Sequence, residues 1–203
     1  MRAGALARPA RLRNILNMKT SDADILFVPG LGGSGPDHWQ TRWAGRLSTA
    51  RLVEQADWLA PRRAEWVETL AQAVADCERP VVLVGHSLGS VAIAHAASRF
   101  APGKVKGAML VAPPDDATMR ALADFAGVAE EFALPALEKL PFTSMLAASR
   151  NDPLSPISAS EALAREWGAR FVDAGDSGHI NAESGHGPWP EGLMSFAAFL
   201  RGL

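Results

Sequence analysis

Short, unbroken apolar runs recur along the chain, each stopped by proline, glycine or a polar turn. Asp24-Ile25-Leu26-Phe27-Val28 ends at Pro29-Gly30, and Pro80-Val81-Val82-Leu83-Val84 ends at Gly85. Val105 to Val111 and Phe142 to Ala148 are further strand candidates, apolar apart from Lys106, Thr143 and Ser144, and Ala50 to Glu54 and Ala169 to Asp173 are shorter ones that carry charged residues. Between these runs the apolar positions take a helical period. His38 to Leu47 carries Trp39 and Trp43 at i,i+4. Pro61 opens a segment to Asp76 with Trp66, Leu70, Ala73 and Val74 on one face. Helices are also predicted over 87–100, 115–126, 156–167 and 189–200. Residues 127–141 read as mixed, with Pro135 and Pro141 as breakers. Strands that are apolar throughout, rather than alternating, are buried on both faces. The fold class is therefore α/β: a three-layer αβα sandwich with about six parallel strands. Ligand sites in such sheets lie beyond the carboxyl ends of the strands. Ser87, the Gly30–Gly35 loop, Asp115, Asp152 and His179 all fall there.

Gly85-His86-Ser87-Leu88-Gly89 is a Gly-x-Ser-x-Gly sequence between a strand and an Ala-rich helix. That is the setting of a nucleophile elbow, a tight turn that lifts a serine hydroxyl above the sheet. The flanking glycines let strand and helix approach closely. A hydroxyl needs a base to become a nucleophile, and in this fold the chain order is Ser, Asp or Glu, then His. Among the five histidines only His179 and His186 follow the last strand. His179, in Asp176-Ser177-Gly178-His179-Ile180-Asn181, is the base, and His186 is the spare candidate. His86 points away from the nucleophile, and His38 and His95 read as structural helix residues. Asp152, in the turn Ser149-Arg150-Asn151-Asp152-Pro153, is the acid, with Asp115 or Asp116 as runner-up. The oxyanion hole needs two backbone N–H groups. These are Leu88, directly after the serine, and Leu31, in the glycine-rich loop after the first strand. The same loop lacks the Gly-Lys-Ser/Thr of a phosphate cradle and fits no dinucleotide fingerprint.

The chain is 48% hydrophobic and 21% charged, with a net charge of −2. Nothing in that balance suggests a nucleic-acid or anionic-membrane partner. No apolar stretch is long enough to cross a bilayer. Cys77 is the only cysteine, so it forms no internal disulfide, and no Cys/His spacing marks a metal site. A reducing cytoplasm is the expected location. Arg2, Arg8, Arg11, Arg13 and Lys19 make residues 1–20 a basic stretch, expected to be a poorly ordered extension, and Met18 is a second candidate start. Residues 21–203 form one domain. The interval between Val111 and Phe142 leaves no room for a large lid, which predicts an open, shallow site.

These motifs together resemble the small serine hydrolases related to retinoblastoma-binding protein 9, including the bacterial YdeN-like proteins. The matching segments are Val28-Pro29-Gly30, Gly35-Pro36-Asp37-His38-Trp39-Gln40-Thr41-Arg42-Trp43, Gly85-His86-Ser87-Leu88-Gly89-Ser90, Ser149-Arg150-Asn151-Asp152-Pro153, Gly178-His179-Ile180-Asn181 and Ser184-Gly185-His186-Gly187. The resemblance covers about residues 23–200. It implies a reduced α/β-hydrolase fold with Ser87 as nucleophile, Asp152 as acid and His179 as base. It also implies hydrolysis of a small ester or amide with no cofactor. Ester and amide, the natural substrate and the oligomeric state stay open. The competing class is a protein-binding module on a hydrolase scaffold, with the six tryptophans as its contact surface.

Overall fold

The computed structural model describes residues 18–135 and 139–203. In chain order the elements are β1 (Asp24–Val28), α1 (Trp39–Ala44), β2 (Ala50–Leu52), α2 (Arg63–Ala75), β3 (Val81–His86), α3 (Leu88–Ala96), β4 (Val105–Val111), α4 (Asp116–Ala121), α5 (Ala126–Glu131), β5 (Thr143–Ala148), α6 (Ile157–Trp167), β6 (Arg170–Asp173) and α7 (Pro190–Leu200). The six strands pair in the order β2-β1-β3-β4-β5-β6. Every pairing is parallel.

The two-residue period of the strands divides the core into two layers. Leu26, Val28, Leu83, Leu110, Leu146 and Ala148 face α2, α3 and α6, meeting Leu70, Val74, Ile93, Leu163 and Trp167. Ile25, Phe27, Val82, Val84, Met109 and Met145 face the other way, toward α1 and α7. Trp39, Trp43, Phe196 and Phe199 close that side. Covering on both faces is why these strands read as continuous apolar runs. The strand order reverses at β1, whose neighbours are β2 and β3, and that switch point opens a crevice at the carboxyl ends of β1 and β3.

Three elements differ from the sequence pattern. The helix predicted over 115–126 stops at Ala121, where Leu122 turns extended and Phe125 N–H bonds Leu122 O. A second short helix, α5, then falls inside the stretch read as mixed. The strand predicted over 50–54 ends at Leu52: Val53 N–H still donates to Phe27 O of β1 at 2.8 Å, but the chain then leaves the sheet and Glu54 is exposed. The segment between β4 and β5 therefore holds two short helices and no lid domain among the described residues. The extension expected over residues 1–20 lies, as far as residue 17, outside the described residues. Met18 packs on the α1/α7 layer and Thr20–Asp22 forms a single 3₁₀ turn.

Candidate active site

β3 ends at His86, and Ser87 turns the chain into α3 with φ 51° and ψ −125°. A non-glycine residue held there stores about 1–3 kcal/mol of strain. Neighbouring bonds fix it in place. Ser87 N–H donates to Val111 O at 2.8 Å, and Ser90 Oγ accepts from Val111 N–H at 3.1 Å. The glycines permit the close approach. A Cβ on Gly89 would lie 2.0 Å from Val28 O, and one on Gly85 would lie 2.8 Å from Ser90 Cα.

His179 sits in the loop between β6 and α7, which is anchored from several elements. His86 Nε2–H donates to His179 O at 2.9 Å, and Trp39 Nε1–H donates to Ile180 O at 2.9 Å. Gly178 N–H donates to Asn151 Oδ1 at 2.7 Å, and Ser177 N–H donates to Ser149 Oγ at 2.8 Å. Those bonds zip the His179 loop to the turn that carries Asp152. As a result Ser87 Oγ lies 2.8 Å from His179 Nε2, and His179 Nδ1 lies 3.0 Å from both Asp152 carboxylate oxygens. The Asp152 side chain is 2% exposed and that of His179 12%. A carboxylate can only accept, so the proton sits on Nδ1 and Nε2 is left to accept from the serine hydroxyl.

The runner-up residues are engaged elsewhere. Asp115 caps α4 through Thr118 N–H, and Asp116 accepts from Leu134 N–H. His186 contacts Ser184 Oγ and Trp189, outside the Ser87–His179–Asp152 chain. Cys77 follows α2 and donates to Ala73 O; burial raises its thiol pKa, so it is not poised as a nucleophile.

Gly30 brings the first loop against the elbow. A Cβ there would lie 2.8 Å from Ser87 Cβ and 3.3 Å from Leu88 N. Leu31 N–H comes next in the chain. Neither Leu31 N–H nor Leu88 N–H has an acceptor among the described residues. The loop is held from behind by Gly32 N–H to Trp58 O at 2.9 Å and Thr41 Oγ1–H to Ser34 O at 2.7 Å. Gln40, fully buried, donates to Val84 O at 3.0 Å and accepts from Ser34 Oγ at 2.7 Å. It thus ties β3 to the same loop. The space beside Ser87 is a cleft of about 430 Å³ lined by Leu31, Gly32, His38, His86, His179 and Asn181, among others.

Two histidines set aside in the sequence reading stand in this cleft. His38 is the N-cap of α1, not a residue within the helix, and its ring lies 4.7 Å from that of His86. The His86 ring is 5.0 Å from that of His179. Burial, and next the neighbouring His179, hold the His38 pKa down to about 4. The same causes, in the same order, push His86 well below the usual imidazole value. The signal for both lay in the quoted segments Gly35 to Trp43 and Gly85 to Gly89, but a single chain does not say which loops will converge. Trp39, Trp43, Trp66, Trp167 and Trp189 are buried, so they form no contact surface. Among the described residues no group of three or more His, Cys, Asp or Glu side chains is placed to hold a metal ion, and no helix is long and apolar enough to cross a membrane.

The fold is shared with solved hydrolases. A YdeN-like hydrolase from Pectobacterium atrosepticum superposes with a TM-score of 0.77 at 32% identity, over 89% of this chain and 92% of that one. The ydeN gene product of B. subtilis gives 0.68 at 21% identity, over 87% and 98%. Mouse alpha/beta hydrolase domain-containing protein 10 gives 0.63 at 16% identity, over 87% of each. No curated protein sequence matches the chain. The family model described as serine hydrolase matches residues 25–198, from the first strand into the last helix. A match of that extent, joined to a YdeN-like neighbour aligned over nearly the same length, makes this chain a member of the serine hydrolase family.

Proposed function

We propose that the protein cleaves a small ester or amide through Ser87, His179 and Asp152, by way of an acyl-enzyme. The observation that carries this reading is the unbroken hydrogen-bonded chain from Ser87 Oγ through both nitrogens of His179 to Asp152. In the first half-reaction His179 Nε2 takes the hydroxyl proton as Ser87 Oγ attacks the substrate carbonyl. The carbonyl oxygen becomes an oxyanion, which Leu31 N–H and Leu88 N–H stabilise. Collapse of this intermediate breaks the bond to the leaving group, and His179 returns the proton to it. Water then enters, loses a proton to His179 and attacks the acyl carbonyl; the second intermediate breaks its bond to Ser87 Oγ, which takes that proton back from His179 as the acid is released. Asp152 keeps the imidazole in its working tautomer and stabilises its charged form.

A cleft of about 430 Å³ suits short or flexible substrates better than long acyl chains. The free thiol of Cys77 fits action in a reducing cytoplasm. The test is hydrolysis of a panel of short acyl esters and aminoacyl amides by the native protein and by Ser87→Ala. The reading expects turnover of at least one class by the native protein and its loss in the variant. Turnover by Ser87→Ala at the native rate would remove Ser87 from the mechanism.

A further inference from the structure

His38 combines fixed placement, a defined tautomer and an unused donor. Its Nδ1 accepts from Gln40 N–H at 3.2 Å, and an amide N–H can only donate. Nδ1 is therefore bare, and the proton of the uncharged ring is on Nε2. Nε2 has no acceptor among the described residues, yet it is not sealed from solvent. His38 is only 6% exposed and forms part of the cleft wall. Trp39, with ring centres 5.4 Å apart, and His86, at 4.7 Å, fix its orientation. A capping bond on one side and an aromatic pack on the other leave one rigid N–H open to the cleft. A donor held in this way recognises an acceptor and cannot turn away from it.

We propose that His38 is a specificity-determining residue, whose Nε2–H donates to an uncharged oxygen of the substrate lying beyond the scissile bond: an ether, hydroxyl or second carbonyl. The inference rests on the hydrolase reading above. A carboxylate is the poorer partner, because Glu183 and Asp37 also line the cleft and the ring carries no charge at neutral pH. The enzyme then favours oxygen-bearing substrates over alkyl analogues of the same shape.

The test uses two pairs that differ by CH₂ against O: p-nitrophenyl butyrate with p-nitrophenyl methoxyacetate, and butyl acetate with 2-methoxyethyl acetate. The readout is the ratio of kcat/KM, oxygen member over alkyl member, compared between native protein and variants. Intrinsic ester reactivity cancels in that comparison. His38→Asn keeps a side-chain acceptor for Gln40 N–H, since Asn is a strong N-cap, but removes the Nε2 donor. His38→Gln places an amide N–H near the position of Nε2. In at least one pair the ratio is expected to drop about fivefold or more in His38→Asn and to recover in His38→Gln, the size of one lost hydrogen bond. A merely structural His38 would lower both members of each pair alike. Ratios within twofold of native in both pairs would overturn the inference. Labelling of Ser87 by a fluorophosphonate is measured on the same samples. Loss of labelling in the native protein sinks the hydrolase reading itself, whereas a flat ratio with labelling intact sinks only the role of His38.

Discussion

Gly30→Ala tests the proposed contribution of the first loop to catalysis. Gly30 does not sit in the left-handed region, so alanine meets no backbone penalty there, and the perturbation is steric. The new Cβ would lie 2.8 Å from Ser87 Cβ, 3.0 Å from His86 O and 3.3 Å from Leu88 N. Apolar carbons pack best at about 3.5–4.0 Å, so relief of the 2.8 Å contact requires a shift of roughly 0.7–1.2 Å. None of the obstructing atoms is the far end of a flexible side chain. The loop therefore retreats, and Leu31 N–H, the next backbone donor, retreats with it. Oxyanion donors act at about 2.7–3.1 Å, and removing one costs about 10²–10³ in kcat. The expected result is a fall in kcat of about 10²-fold, or about 2.7 kcal/mol of transition-state stabilisation, in hydrolysis of whichever short ester the native protein turns over. Gly32→Ala is the comparison. Gly32 has φ +78° and open space at its Cβ position, so alanine there strains the turn by about 1–2 kcal/mol without striking the elbow. Its kcat should fall far less. A Gly30→Ala protein with kcat within threefold of native would refute the argument that this loop supplies an oxyanion donor.

Other outcomes follow from the same geometry. Asp152→Asn should fold normally and lose up to about 10⁴ in turnover, since an amide at 3.0 Å from Nδ1 no longer enforces the productive tautomer; steady-state kinetics beside a thermal melt would show it, and native turnover would remove Asp152 from the mechanism. Gly89→Ala puts a Cβ 2.0 Å from Val28 O and should cost more than about 3 kcal/mol, read as a lowered urea midpoint or the absence of folded protein; a native midpoint would show that α3 can withdraw from β1. Acidification should destabilise the fold. The unfolded chain protonates His38 near 6.5 while the folded chain resists until about 4, so this stability is full above the first value and is lost as pH falls toward the second. His86 and His95 are lowered too and act with the same sign. His38 alone accounts for about 3 kcal/mol across that window, and a Tm that stays flat between about pH 7.5 and about pH 5 would contradict the burial argument.

Much of the fold is written locally in the chain. Ile25-Leu26-Phe27-Val28 and Val81-Val82-Leu83-Val84 are apolar at every position because helices cover both faces, and that pattern alone points to a parallel sheet. Ser87 is legible for a related reason: its turn requires glycine at 85 and 89, and those glycines show in the sequence. Asp152 and His179 could be placed at strand ends as candidates. Their meeting depends on Asn151 and Ser149 bonding the facing loop, which no periodicity reports. His38 and His86 were passed over because each, taken singly, is one histidine beside a helix or strand. Their place in the cleft arises where β1, β3 and the His179 loop converge, through contacts spanning from 48 to 93 positions. The break between α4 and α5 was hidden for the opposite reason. Residues 115–126 have good helical composition, and the turn at Leu122 is set by tertiary context.

The central claim is that Ser87 is an activated nucleophile. The most direct measurement treats the folded protein with a fluorophosphonate and locates the adduct by mass spectrometry, with Ser87→Ala as control. The account expects one adduct per chain, on Ser87, and none in the variant. A folded protein that takes no label, or takes it at another residue, would contradict it.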